Sequence, residues 1–213
     1  MATIEQFLDH VILYAPDIDE GIAQFAIQES ITDFMIDTEV ARDFLRIPLH
    51  DHVNDYALDL DMCRVLVSIK NVKKISSDCD TRHEELEDTK VPTTYGYAFD
   101  TDNGASDAIW IGDVSNGGVI EVEYAWAIGR ESCVIPDFIL NKYVTIIQYL
   151  ALSKIYMIPG QDWTSPQVAS NYKAMYDNEV KKLKRKTRKV SGGEMIGGGF
   201  IRKRGSCLGG FFK

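Results

Sequence analysis

His50-Asp51-His52 sets two imidazoles two residues apart. On a strand that spacing is a single face, which is how a metal site can begin. No third ligand stands at a suitable offset, so the pair reads as an exposed strand end and no metal is expected. The acidic run DCDTRHEELED at 78–88 offers oxygen ligands for calcium. It lacks the alternating ligands and the turn glycine of a calcium loop, and reads as a solvated or channel-facing charge run. Gly197-Gly198-Gly199 invites comparison with a phosphate loop, yet no Gly-Lys-Ser/Thr ending, preceding buried strand or following helix supports one. GxSxG and HExxH are absent, and Cys63, Cys79, Cys133 and Cys207 form no CxxC, so they read as free thiols. No residue is nominated as catalytic, no cofactor is expected, and the chain does not read as an enzyme.

Charge is distributed more informatively than its total of -9 suggests. From Lys181 onward there are eleven basic residues and one acid, Glu194, whereas the preceding 180 residues carry twelve basic and 31 acidic groups. An acidic body repels a polyanion at long range, while the basic end is able to meet phosphates or an acidic protein surface. Within that end, Lys181, Lys182, Lys184, Arg185, Lys186, Arg188 and Lys189 form a possible DNA-facing patch. The same residues also complement the negative pole of a helix, and their poor aromatic interleaving disfavours stacking on single strands.

The elements that carry these charges follow from periodicity. Residues 3–14 place Ile4, Phe7, Leu8, Val11 and Ile12 on one helical face, and Pro16 ends the run. Asp17 with Glu20 predicts a capped second helix to about residue 36, with Ile18, Ile22, Phe25, Ala26 and Phe34 inward. Between 42 and 128 the period shifts towards two, with β-prone runs at FLRIPL, YALDL, RVLVSIKNV, TTYGYAF, AIWIG and VIEVEYAWAI, the third alternating at Val65, Val67 and Ile69. The linking segment from Ser76 to Asp88 reads as an acidic loop. Pro136 and Asp137 open a helix apolar around most of its circumference, which belongs at the centre of a bundle. A last helix from Ser165 to about Arg188 presents Val168, Tyr172, Met175, Tyr176, Val180 and Leu183 inward. The predicted fold class is α+β: a bundle of about four helices, an inserted small antiparallel sheet and an extended C-terminal tail. The body is 1–189, comprising a hairpin at 3–36, a β-rich insertion at 42–128 and a hairpin at 136–188. The tail is 190–213.

Between the last two helices, Pro159, Gly160, Trp163, Ser165 and Pro166 read as a joint. Proline and glycine end one helix, tryptophan packs under the turn, and Ser-Pro starts the next as cap and first residue. The tail is glycine-rich, with eight glycines among its 24 residues, and reads as flexible when alone. Met195, Ile196, Phe200, Ile201, Leu208, Phe211 and Phe212, interleaved with Arg202, Lys203 and Arg204, give it the anchors of a docking peptide, often added as a strand. No apolar run is long enough to span a bilayer and MATIEQFLDH is unlike a secretion signal, so synthesis and retention in the cytosol, without a membrane partner, are expected.

The order of features resembles that of the head-to-tail adaptor (connector) proteins of tailed bacteriophages, particularly the short-tailed podovirus type. The resemblance runs from FLDHVILYAPDIDEGIAQFAIQESITDF through Tyr56-Ala57-Leu58 and RVLVSIKNV to Val134-Ile135-Pro136-Asp137. It closes on Met157-Ile158-Pro159-Gly160, Trp163, Ser165-Pro166 and the tyrosine-containing last helix. It covers most of 4–184, PGxxWxSP being its most specific element, and leaves the C-terminus least matched. It implies a virion protein at the head-tail junction, assembled in the host cytoplasm as a ring of identical subunits, usually a dodecamer, beneath the portal protein. The ring extends the DNA channel without sequence-specific binding and offers a platform to tail nozzle, tail tube and fibre proteins. In this resemblance the C-terminal tail docks on the portal or a neighbouring subunit, and the inserted sheet is a candidate for side-to-side contacts. An alternative from the residues alone is a nucleic-acid-binding protein that uses the basic C-terminal tail.

Overall fold

A computed structural model of the chain describes residues 2–50, 53–58, 60, 63–75, 83–85, 97–99, 108–111, 118–129 and 134–191. The helical hairpin opens with α1 (Ile4–Ile12), where Gln6 Oε1 accepts the Thr3 N–H at 3.0 Å. Phe7, Leu8 and Val11 are its buried side chains. Helix α2 (Glu20–Thr38) is capped by Asp19, whose Oδ1 accepts the Ile22 N–H at 3.2 Å. The expected cap, Asp17, lies in the turn instead. Phe25, expected inward, is 65% exposed. The buried stripe runs through Ala23, Ala26, Ile27, Ser30, Ile31, Phe34, Met35 and Thr38. Small residues on that stripe let α2 approach its neighbours, and the inward hydroxyls bond back to their own helix, Ser30 to Ala26 O and Thr38 to Phe34 O, both at 2.6 Å.

The chain then builds β1 (Arg42–Pro48), β2 (Asp55–Ala57), β3 (Arg64–Ile75), β4 (His83–Glu85), β5 (Tyr97–Phe99), β6 (Ala108–Ile111) and β7 (Val119–Ile128). All pairings are antiparallel, and the strands divide between two sheets ordered β1-β7-β3-β4 and β2-β6-β5. Strand β4 falls within the stretch expected to be an acidic loop. Strand β3 carries irregularities between Leu66 and Ser68 and between Ile69 and Asn71. These break the alternation read from its sequence, leaving Val65 52% exposed while Val72 is buried. On β7, Ile120 and Val122 join Leu49, Tyr56, Leu58, Val72, Ile109 and Ile111 in one apolar cluster. Further along the same strand, Tyr124, Trp126 and Ile128 enter the helical core.

Helix α3 (Asp137–Ile155) touches α1, α2 and α4 (Pro166–Ser191), and α2 also packs on β7. This is the central helix expected from its apolar circumference. The α+β class with four helices and antiparallel strands is therefore the observed architecture. Met175, expected on the inner stripe of α4, is 44% exposed, whereas Ala169, Tyr176 and Val180 are buried. Among the described residues no helix is long and apolar enough to cross a membrane.

The outer edge of β1 is blunted. Ala41 O accepts from Trp126 N and Leu49 N donates to Gly118 O, so odd-numbered positions face β7 and even-numbered ones face away. Of the latter, Phe44 N–H is taken by Asp43 Oδ1 at 2.9 Å and Pro48 has no N–H. Such an edge is a poor template for an added strand.

Glu39 ties the helices to the sheet. It is the left-handed C-cap of α2 (φ 50°), accepts from Ser68 Oγ at 2.9 Å and pairs with Lys70 Nζ at 2.5 Å. Burial pushes its carboxyl up, but hydrogen bonds from Lys70 and Ser68, with the charges of Lys70 and Arg42, outweigh that and hold it below the usual glutamate range. A carboxyl depressed in the folded state stabilises above its unfolded value, near pH 4.5, and that stability is lost as pH falls through the lower folded value. Thermal melts of Glu39→Gln should therefore lie below the native protein at neutral pH and converge with it in acid. A constant gap at every pH would exclude the ion pair as the cause.

Candidate functional site

The joint between α3 and α4 is built largely from backbone. After Ile155 the chain tightens through Met157 N to Lys154 O and Ile158 N to Ile155 O, both 3.1 Å. Gly160 then takes φ 77°. Ser165 N donates to Tyr156 O at 2.9 Å, and Ser165 O accepts from Ala169 N at 3.0 Å, which places Ser165 at the cap position and Pro166 first in the helix. Trp163 packs against the helical core. Its Nε1 is buried with no hydrogen-bond partner among the described residues. Thr164, which the sequence does not advertise, closes the turn: its hydroxyl donates to Ile158 O at 2.5 Å and accepts from Gln161 N at 3.1 Å. Trp163 Nε1 apart, these groups are spent on each other, as a joint requires and a ligand loop does not.

The basic patch stands on α4 beyond Val180, the last buried residue among those described. Lys181, Lys182, Lys184, Arg185 and Lys186 are all exposed, and Lys182 reaches Glu179 at 2.5 Å one turn back. Arg188 and Lys189 occupy the final turns of the helix, but their side chains lie outside those described. The tail anchors Met195, Ile196, Phe200, Ile201, Leu208, Phe211 and Phe212, with Arg202, Lys203 and Arg204, lie outside the described residues, as do Asp51, His52, most of 78–88 and Gly197–Gly199. His50 contributes backbone: its N–H donates to Tyr56 Oη at 2.9 Å. Among the described residues, no group of three or more His, Cys, Asp or Glu side chains is placed to hold a metal ion.

Opposite in sign to the α4 end is the N-terminal hairpin. Residues 1–41 hold nine carboxylates and neither lysine nor arginine. Glu29, Asp33 and Asp37 recur every fourth residue along α2, and the other helices answer them. Lys154 Nζ contacts Glu29 at 3.1 Å and Asp33 at 2.6 Å, and Tyr176 Oη donates to Asp37 at 2.7 Å. Burial, then the hydrogen bond to Asp37, drives the Tyr176 hydroxyl far above its usual range, so it remains a donor. Asp17, Asp19 and Glu20 are exposed.

A groove of about 380 Å³ lies between α3 and α4 beside the end of α1, within the size range of sites that hold small ligands or peptide side chains. Tyr14, Tyr149, Val168, Tyr172 and Met175 give its apolar wall, and Thr145, Gln148 and Asn171 its polar rim. Among the described residues no charged side chain lines it. Tyr172 stacks on Tyr156 (6.0 Å, 5°) and on Tyr149 (6.2 Å, 28°), and Tyr156 Oη donates to Tyr14 O at 2.7 Å. Burial, then the neighbouring tyrosines, raises the Tyr172 hydroxyl. The sequence hides this assembly because its aromatics sit in three separate elements that only the joint brings together.

Gly160 offers a clean test of the joint. A Cβ there would meet nothing within 4 Å, so Gly160→Ala carries only the backbone cost of a left-handed alanine, about 1 kcal/mol. Urea unfolding should show a loss of that size with an unchanged m-value; an unaffected midpoint would mean that the positive φ does not constrain the joint. No family model matches this chain, and no curated protein matches it.

Proposed function

We propose that the chain is a structural head-to-tail adaptor of a tailed bacteriophage. In this reading it forms a ring beneath the portal protein, extends the DNA channel and presents a platform to tail nozzle, tube and fibre proteins. One observation carries the assembly: the chain presents two surfaces of opposite charge on different elements. The acidic face belongs to the α1–α2 hairpin, with Phe25 and Ile36, 65% and 46% exposed, eleven residues apart on a common stripe of α2. The basic face is the exposed end of α4. Pairing like faces across a two-fold axis brings equal charges together, whereas pairing unlike faces is attractive and head-to-tail, and closes into a ring when the rotation closes. The blunted edge of β1 is a poor contact surface by comparison with these helix faces. The predominantly acidic body suits a conduit through which DNA moves without adhering.

Electron microscopy of the protein alone and mixed with a portal assembly tests this reading. Rings stacked on the narrow end of the portal are expected. The double variant Lys184→Glu/Arg185→Glu, exposed on both counts, should retain the native fold by circular dichroism and lose the rings. Rings that persist in the variant remove the charge-pairing account, and a native protein that never stacks on a portal removes the adaptor.

The five exposed cations from Lys181 to Lys186 on α4 favour a second reading, a duplex-binding protein. If all five replaced counterions, log K against log salt would fall with a slope of about -4.5. Fluorescence anisotropy with duplex DNA at low salt decides between the two: weak binding is expected of the adaptor, and tight binding with that slope would support the alternative.

A further inference from the structure

We infer that the Tyr14/Tyr149/Tyr172/Met175 groove is a peptide site whose occupant in the free subunit is the chain's own C-terminal segment, entering with Phe200 and Ile201. The inference concerns the isolated chain and does not rest on the adaptor reading. Four of the large apolar residues exposed on the described surface gather at this groove or beside residues that build it: Leu13 (74%), Tyr14 (52%), Met157 (59%) and Met175 (44%). Aromatic and methionine walls with an uncharged rim of Thr145, Gln148 and Asn171 suit side-chain anchors on a peptide backbone.

Reach selects the occupant and its register. Met175 lies sixteen residues before Ser191, the end of α4, about 24 Å along the helix. Extended chain covers roughly 3.3 Å per residue, so Phe200 is the first anchor able to return to the groove, about 30 Å beyond Ser191, while Met195 and Ile196 fall short. Leu208 follows with length to spare. Charge agrees: from Gly192 the segment carries Arg202, Lys203, Arg204 and Lys213 against Glu194, and Asp17, Asp19 and Glu20 follow Tyr14 closely in the chain. A tether of this length holds the peptide at an effective concentration on the order of millimolar, which favours the subunit's own tail over a dilute second copy.

The full-length protein carries a probe in the right place. With Cys63→Ser, Cys79→Ser and Cys133→Ser, a nitroxide on Cys207 should erase the methyl signals of Val168 and Met175 and spare those of Ile109 and Ile120, all returning on reduction of the label. Adding Tyr14→Lys and Met175→Lys, both at exposed positions, should restore the Val168 signal with the label still oxidised. Val168 and Met175 signals indifferent to the label would overturn the inference. So would signal loss that appears only when a labelled chain is mixed with an isotope-enriched Cys207→Ser chain, since the peptide would then come from another copy.

Discussion

The register of β7 is the constraint on which the rest depends. Its even-numbered side chains share one face, yet that face serves two cores: Ile120 and Val122 pack in the sheet cluster, and Tyr124, Trp126 and Ile128 among the helices. A slip of one residue against β1 or β3 would turn all five to the other side at once. The irregularities of β3 let that strand follow β7 without disturbing this face. Two further contacts fix where the helices meet it. Thr32 Oγ1 reaches Ile128 O at 3.2 Å, and the Arg64 guanidinium lies 4.2 Å over the Trp126 ring while pairing with Asp43 at 2.9 Å.

Seated on β7, α2 must also manage its own charge. Carboxylates four residues apart repel along an isolated helix, and α2 carries Glu29, Asp33 and Asp37 in that spacing. Lys154 from α3 and Tyr176 from α4 turn the repulsion into attachment, and Glu39 does the same towards β3. These half-buried contacts also orient the bundle, because each partner comes from a different element. The acids on the outer side of the hairpin have no such answer within residues 1–41, and their field extends into solvent.

Much of this order is legible in the sequence where one signal dominates. Pro136 and Pro166 stand within a residue of the observed starts of the last two helices, and Pro159 and Gly160 follow the end of α3 by four and five residues, because proline and glycine act locally. Strand β1 and the first half of β7 follow their alternation. Legibility fails where packing overrides hydrophobicity. Phe25 and Met175 are more apolar than Ala23 and Ala169, yet the small residues are buried because close helix approach needs them there. It fails again for the groove, since Tyr149, Tyr156 and Tyr172 stack, and Tyr14 joins them through its carbonyl, only after α1, α3 and α4 are assembled. Asp19 displaces Asp17 as the cap because the turn after α1, closed by Ile18 N to Ala15 O at 3.3 Å, extends two residues further than Pro16 alone indicates.

The two basic segments at the C-terminus differ in kind. Among the described side chains of α4 beyond Val180, Leu183 alone is partly against the core, and lysine and arginine favour the helix by propensity and by their position at its negative pole. The described charges, from Lys181 to Lys186, are exposed, and charge of that kind acts at a distance and weakens with salt. The glycine-rich segment that follows pairs fewer charges with large apolar side chains, a composition whose binding is governed by burial once contact is made. A chain built this way separates long-range orientation from short-range attachment. In the proposed assembly and the inferred tail docking, the acidic hairpin and the uncharged groove are the respective complementary surfaces.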